Sequence, residues 1–202
     1  MSKLTVNMNL TLDGVMQAPG SPDEDTRGGF EYGGWAMPYF DPAMGGKVAA
    51  ESKTNPSAML FGRRTYENFY EVWPKRTESP FSEVLNNLQK YVVSTTLTEP
   101  LPWMNSTLLS GDAGASVARL KEQSDQDLVV LGSGVLVQTL MRHNLVDEYV
   151  LSIHPLVFGT GRRLFPEGSP YTTLQLVDTR TTSTGVVVAT YRPAEPTAAK
   201  TS

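Results

Sequence analysis

Four clusters in the sequence carry groups able to hold an anion. Gly62, Arg63, Arg64 and Thr65 follow the apolar run SAMLFG and open RRTYENFYEVW at 63–73. At a strand-to-helix junction the first helical N–H groups lack partners and the helix dipole favours negative charge, so two arginines there suit a phosphate. The same side chains can instead pair with Glu67 or Glu71. Gly132, Ser133 and Gly134 mark a second junction, between DLVVLG and a helical pattern that continues through Val135 and Leu136. Glycines there admit a ligand to backbone donors without Cβ interference, although GSG is shorter than the G-x-G-x-x-G fingerprint and serves equally as a tight turn. Ser94, Thr95 and Thr96 end the KYVVST run with hydroxyls that can hold a phosphate or cap a turn. Gly159, Thr160, Gly161, Arg162 and Arg163 form a glycine loop with adjacent cations, facing either an anionic substrate or a subunit boundary.

Acids suited to proton transfer are few. Asp13, where the first strand enters a long loop, and Asp41, at the end of that loop, are the carboxylates expected to overlook a cleft. Asp41 also suits a helix cap. His143 and His154 have no paired metal-ligand spacing and read as structural, so no metal site is expected. A serine hydrolase is excluded by the lack of a G-x-S-x-G elbow. With no Cys there is no disulfide framework, thiolate nucleophile or cysteine zinc site. The net charge of -4 offers no electrostatic case for a nucleic acid partner. The first residues lack the apolar core of a signal peptide and no stretch approaches ~18 consecutive apolar residues, which points to a cytoplasmic chain without a membrane anchor.

The elements that must position these groups follow from periodicity. At 202 residues, 40% hydrophobic and 19% charged, the chain reads as one ordinary globular domain over 1–192 with a disordered tail at 193–202. Leu4, Val6, Met8 and Leu10 alternate with polar residues, the pattern of a half-buried strand. Residues 13–41 show no period but carry Phe30, Tyr32, Trp35, Tyr39 and Phe40, a loop expected to pack over something. Asp41 and Pro42 predict a helix to about Thr54. Strands follow at 57–62, 90–95, 106–110 and 127–132, alternating with helices at 63–73, after Pro80, at 113–123 and at 133–144. The last part is strand material, at 148–159, 173–179 and 185–192. Alternation followed by terminal strands predicts an α/β fold with a mostly parallel sheet and an antiparallel C-terminal edge.

Taken in order, NLTLDG, the loop with GGW and PYFD, FGRRTYE, VVSTTL, VVLGSGVLVQTL and VDEYVLSIHPLVFGTGRRLF resemble the dihydrofolate-reductase-like superfamily, and within it the RibD C-terminal reductase family of riboflavin biosynthesis. The resemblance spans about 3–192 and implies a three-layer α/β/α fold. It implies NADPH as cofactor, with Arg63, Arg64 and Thr65 contacting its phosphates. By the same likeness Ser94, Thr95 and Thr96 approach the adenosine 2′-phosphate, and Gly132, Ser133, Gly134, Val135 and Leu136 run beside the pyrophosphate and nicotinamide. Leu12, Asp13 and Gly14 cover the nicotinamide face. Relatives often carry Ser-Arg where this chain has Ser94-Thr95, and dihydrofolate reductases place a carboxylate where only Asp41 lies nearby. The zinc deaminase half of the bifunctional riboflavin enzyme needs paired cysteines, which are missing here.

The resulting expectation is an NADPH-dependent reductase acting on a small heterocyclic or carbonyl substrate, of the 5-amino-6-(5-phosphoribosylamino)uracil reductase type, with Arg162 or Arg163 supplying a cation for a substrate phosphate. Alternatives are a pteridine or dihydrofolate-type reductase, a dinucleotide-binding module whose cleft is closed by Trp35, Tyr39 and Phe40, and a purely structural protein. The resemblance also implies a homodimer paired through the late strands, with no nucleic acid or membrane partner.

Overall fold

Strand β1 (Leu4–Thr11) alternates as its side chains demand: Leu4, Val6, Met8 and Leu10 are buried, while Thr5 and Asn7 are half-buried and Asn9 is exposed. Every second side chain of a strand shares one face, so β1 turns one apolar row into a core and one polar row the other way. The computed structural model describes residues 1–42, 56–76 and 80–194. After β1 come β2 (Ala58–Gly62), α1 (Arg63–Val72), α2 (Pro80–Asn87), β3 (Lys90–Val93) and β4 (Ser106–Leu109). The chain continues through α3 (Ala113–Gln123), β5 (Leu128–Leu131), α4 (Gly134–Arg142), β6 (Glu148–His154), β7 (Leu174–Thr181) and β8 (Val187–Pro193).

The strands form one sheet in the order β4-β3-β2-β5-β1-β6-β8-β7. Pairs from β4 through β6 are parallel, while β6·β8 and β7·β8 are antiparallel, the expected mixed sheet. On one face, Leu4, Val6 and Met8 of β1, Leu60 of β2 and Leu128 and Val130 of β5 pack against Val117 and Leu120 of α3 and Leu136, Val137 and Leu140 of α4. On the other, Met59, Phe61 and Val92 pack against Tyr66, Phe69 and Trp73 of the α1 segment and Leu85 of α2. Helices on both faces give three layers, and each fully buried aliphatic side chain contributes roughly 1.5–3 kcal/mol.

The structure departs from the sequence reading at several ends. The strand expected over 148–159 stops at His154, because Pro155 has no N–H for a ladder and Leu156 N–H turns back to His154 O at 2.7 Å. The loop over 13–41 holds short 3₁₀ turns at Arg27–Gly29 and Met37–Tyr39. Beyond Pro42, the helix expected to about Thr54 lies outside the described residues, as does the tail from 195. Among the described residues no helix is long and apolar enough to cross a membrane.

Candidate functional site

All six parallel strands point their C-terminal ends to one edge, where helices α1 and α4 begin beside each other. In open α/β sheets that edge is where ligands bind. The two helix starts are tied together. Gly62 N–H donates to Ser133 Oγ at 2.9 Å, and Ser133 N–H donates to Thr65 Oγ1 at 3.1 Å. Ser133 holds this position with a left-handed backbone, φ 57°. A Cβ on Gly62 would come within 3.6–3.7 Å of Leu136 and Ser133, so the junctions touch. Because Ser133 and Gly62 spend their amides on the tie, the first-turn amides that follow, from Arg63 in α1 and from Gly134 in α4, are the donors left for an anion.

The cations divide in role. Arg63 reaches Glu67 at 3.4 Å, whereas Arg64 is exposed with no ion-pair partner among the described residues. Val135 is exposed beside the α4 start, but the Leu136 side chain lies in the core, leaving that residue its backbone alone. Ser94 is buried, and its Oγ accepts from Thr96 N–H and Leu97 N–H, both at 3.1 Å. It therefore caps the turn after β3, and Thr96 Oγ1 shares a 3.4 Å hydrogen bond with the same Ser94 Oγ, while Thr95 is exposed beside it.

Both expected acids are engaged by neighbouring groups. The Asp13 carboxylate accepts from Thr11 Oγ1 at 2.5 Å, Gly159 N–H at 2.9 Å and Phe158 N–H at 3.3 Å. Arg163 adds its Nε on Asp13 O at 2.8 Å and lies 3.5 Å from Oδ2. Burial raises the Asp13 pKa, but the hydrogen bonds from Thr11, Gly159 and Phe158 outweigh it and bring the value down to about 2. Asp13 is thus an ionised clasp between the end of β1 and the 155–163 loop. Asp41 Oδ2 accepts from Ser183 Oγ at 2.8 Å and Ser183 N–H at 3.2 Å, which fastens the end of the long loop to the β7–β8 hairpin.

The long loop packs on itself and on the end of β6. Val15, Ala18, Phe30 and Trp35 form its own core, with Phe158 against it. Trp35 Nε1 donates to Gln17 O at 2.7 Å, and its ring meets His154 edge-on at 5.0 Å. Tyr39 also meets His154 edge-on, at 5.6 Å, while Phe40 stays exposed. His154 is buried, and burial lowers its pKa against opposing backbone hydrogen bonds. Gln17 is the clasp that the sequence reading missed: it donates to Asp25 O and Arg27 O and accepts from Arg162 N–H at 3.0 Å. No local pattern marks it, since Arg162 lies 145 residues away. Asn68 of α1 donates to Glu24 O at 3.1 Å, so the loop spans from β6 to α1. A cavity of about 320 Å³ beside the α4 start is lined by Met16, Val135, Gln138, Arg162, Arg163 and Glu167. Among the described residues no group of three or more His, Cys, Asp or Glu is placed to hold a metal.

A mixed sheet with β1 at its centre, helices on both faces and paired helix starts at the C-terminal edge defines the dihydrofolate-reductase-like class. The model of the RibD C-terminal domain matches residues 2–188, and the chain belongs to that family. The uncharacterized protein YyaP of Bacillus subtilis (strain 168) is 28% identical over 196 residues, 94% of each chain. A putative riboflavin biosynthesis protein from Shewanella sp. PV-4 superposes with a TM-score of 0.69 at 20% identity, covering 96% of this chain and 99% of that one. The Thermotoga maritima diaminohydroxyphosphoribosylaminopyrimidine deaminase/5-amino-6-(5-phosphoribosylamino)uracil reductase gives 0.61 at 14% identity over 96% of this chain and 57% of that one. Enterococcus faecalis dihydrofolate reductase complexed with NADP(H) gives 0.59 at 15% identity, with 96% and 97% covered.

Proposed function

We propose that residues 1–192 work as an NADPH-dependent reductase that delivers hydride to a small heterocyclic substrate, of the 5-amino-6-(5-phosphoribosylamino)uracil reductase type. The observation that carries this reading is the pair of helix starts tied by Gly62, Thr65 and Ser133 at the C-terminal edge of the sheet. A dinucleotide pyrophosphate fits there, against first-turn amides of α1 and α4, with Arg64, which has no ion-pair partner among the described residues, as its cation. Thr95 offers its hydroxyl to a 2′-phosphate, with Thr96 beside it on Ser94. When bound, the nicotinamide supplies the hydride, and the chain supplies orientation and electrostatics.

The residues around the cleft then have separate tasks. Asp13, Arg163 and Gln17 fix the loop that follows β1, while Trp35 and Tyr39 seat it on His154 and keep water from the sheet edge. Among the described residues, Asp13 is ionised and Asp41 accepts from Ser183, so water is the proton source these two acids leave for the substrate. The open edge strand β7, with Leu176 and Val177 exposed, supports a homodimer through the late strands.

The test is NADPH oxidation followed by absorbance with 5-amino-6-(5-phosphoribosylamino)uracil and, separately, dihydrofolate. Substrate-dependent oxidation with the pyrimidine supports the reading. Oxidation with dihydrofolate alone overturns the substrate, and oxidation with neither removes the catalytic assignment.

A further inference from the structure

Asn7 sits directly beneath the β5–α4 junction. Its Cα pairs with Leu131 on one side and Val150 on the other, and Gly132 N–H donates to its backbone O at 3.3 Å. Since Leu4, Val6, Met8 and Leu10 face α3 and α4, Asn7 and Asn9 face the opposite side of the sheet. On β6, Tyr149 and Leu151 share the α3/α4 core, so Val150, Ser152 and His154 also face that opposite side. The register sets Asn7 beside Val150, Asn9 beside Ser152 and Thr11 beside His154. The strip is bounded toward α1 by Leu131, which joins the α1 cluster, and at its upper end by Trp35 and Tyr39 on His154.

Within that strip Asn7 Oδ1 is sealed from water and accepts no hydrogen bond. A buried acceptor left unpaired is expensive, and such an atom in a native fold calls for an explanation, of which a binding role is one. The other two unpaired buried side-chain oxygens among the described residues, on Ser82 and Ser106, lie on α2 and β4, away from the junction. A carboxamide carries an acceptor and donors side by side, and its terminal torsion has broad minima, so it can turn its edge to a ligand. The complement of that edge is another amide: a ring N–H next to a ring carbonyl.

We propose that Asn7 is a specificity-determining residue whose carboxamide pairs with the N–H/C=O edge of a flat lactam- or ureide-containing ring, laid along the Asn7–Asn9–Ser152 strip. This rests on the reductase reading for the place of the ring under the cofactor. The same edge chemistry is present in the nicotinamide carboxamide. The strip favours the substrate, because Asn7 and Asn9 stand about 6.8 Å apart along the strand, the span of a substituted ring rather than of one carboxamide.

The probes are uracil and 1,3-dimethyluracil, which has the same ring but no N–H, titrated calorimetrically into the full chain with and without NADPH. Uracil is expected to bind, and dimethyluracil at least tenfold more weakly. Asn7→Leu, which replaces the unpaired amide with an apolar group of similar size, weakens uracil at least tenfold while the NADPH Kd stays within twofold. Asn7→Asp, which keeps the side-chain shape, also loses uracil. No uracil binding to the parent chain, equal binding of both probes, or uracil binding unchanged in both variants overturns the assignment. A matching tenfold loss of NADPH affinity in Asn7→Leu also overturns it, by giving the amide to nicotinamide. A chain that binds no dinucleotide overturns the reductase reading separately, while the titrations without NADPH still decide the role of Asn7.

Discussion

Ser133 separates the stability of the two-helix junction from its capacity to hold an anion. Its hydroxyl takes the Gly62 amide at 2.9 Å, while its backbone occupies the left-handed region at φ 57°. Replacing it by Ala removes one hydrogen bond worth about 1 kcal/mol and keeps the backbone strain. For a chain of this size that lowers Tm by roughly 2–4 °C. The same 1 kcal/mol of lost pre-organisation weakens NADPH about fivefold. Replacing it by Gly removes the same hydrogen bond but relieves a left-handed strain of about 1–2 kcal/mol, so the melting temperature lies between that of the parent and roughly 4 °C above it. Ser133→Gly and Ser133→Ala therefore differ in stability and agree in affinity. Thermal melts and NADPH titrations by tryptophan emission read the two quantities. If both variants keep the parent affinity within twofold, the tie does not organise the cofactor site and the reasoning fails.

Three other outcomes follow from particular contacts. Arg64→Ala weakens NADPH about tenfold with a reduced salt dependence, whereas Arg63→Ala, already shared with Glu67, costs less; titrations at two ionic strengths check this. Asp13 has a folded pKa of about 2, below its unfolded value, so its contribution to stability is present above about pH 4 and is lost as pH falls toward 2. The melting deficit of Asp13→Asn is accordingly full at neutral pH and vanishes near pH 2, and a deficit that grows on acidification contradicts the clasp. His154 has a folded pKa below its usual 6.5, so the contacts it makes with Trp35 and Tyr39 are fully stable above that value and weaken as pH falls through the lower folded one. His154→Phe removes this acid loosening, measured by proteolysis of the 13–41 loop between pH 7 and 5.

Much of the frame was legible because it is local. The alternation in β1 and the apolar runs at SAMLFG and DLVVLG mark strands of one parallel sheet, and each ends at a glycine where a helix begins. The two junctions were therefore readable, but their mutual tie was not. Gly62 meets Ser133 across 71 residues, and no spacing rule reports that. The partners of Asp13 were hidden for the same reason: the 158–163 loop brings two amides and an arginine to it from about 145 residues away. Ser94 reads from sequence as either a ligand hydroxyl or a turn cap, and the backbone angles after β3 give its Oγ the cap. Asn7 was hidden inside a regular alternation, in which a polar residue reads as solvent-facing until the partner strands β5 and β6 enclose it.

The central claim is that the α1 and α4 starts form a dinucleotide cradle with a 2′-phosphate preference. Side-by-side titration with NADPH and NADH, following emission from the three tryptophans, tests it most directly. The account predicts saturable NADPH binding and NADH binding at least ~10-fold weaker, a gap of about 1.4 kcal/mol. Equal affinities contradict the 2′-phosphate site, and binding of neither contradicts the cradle itself.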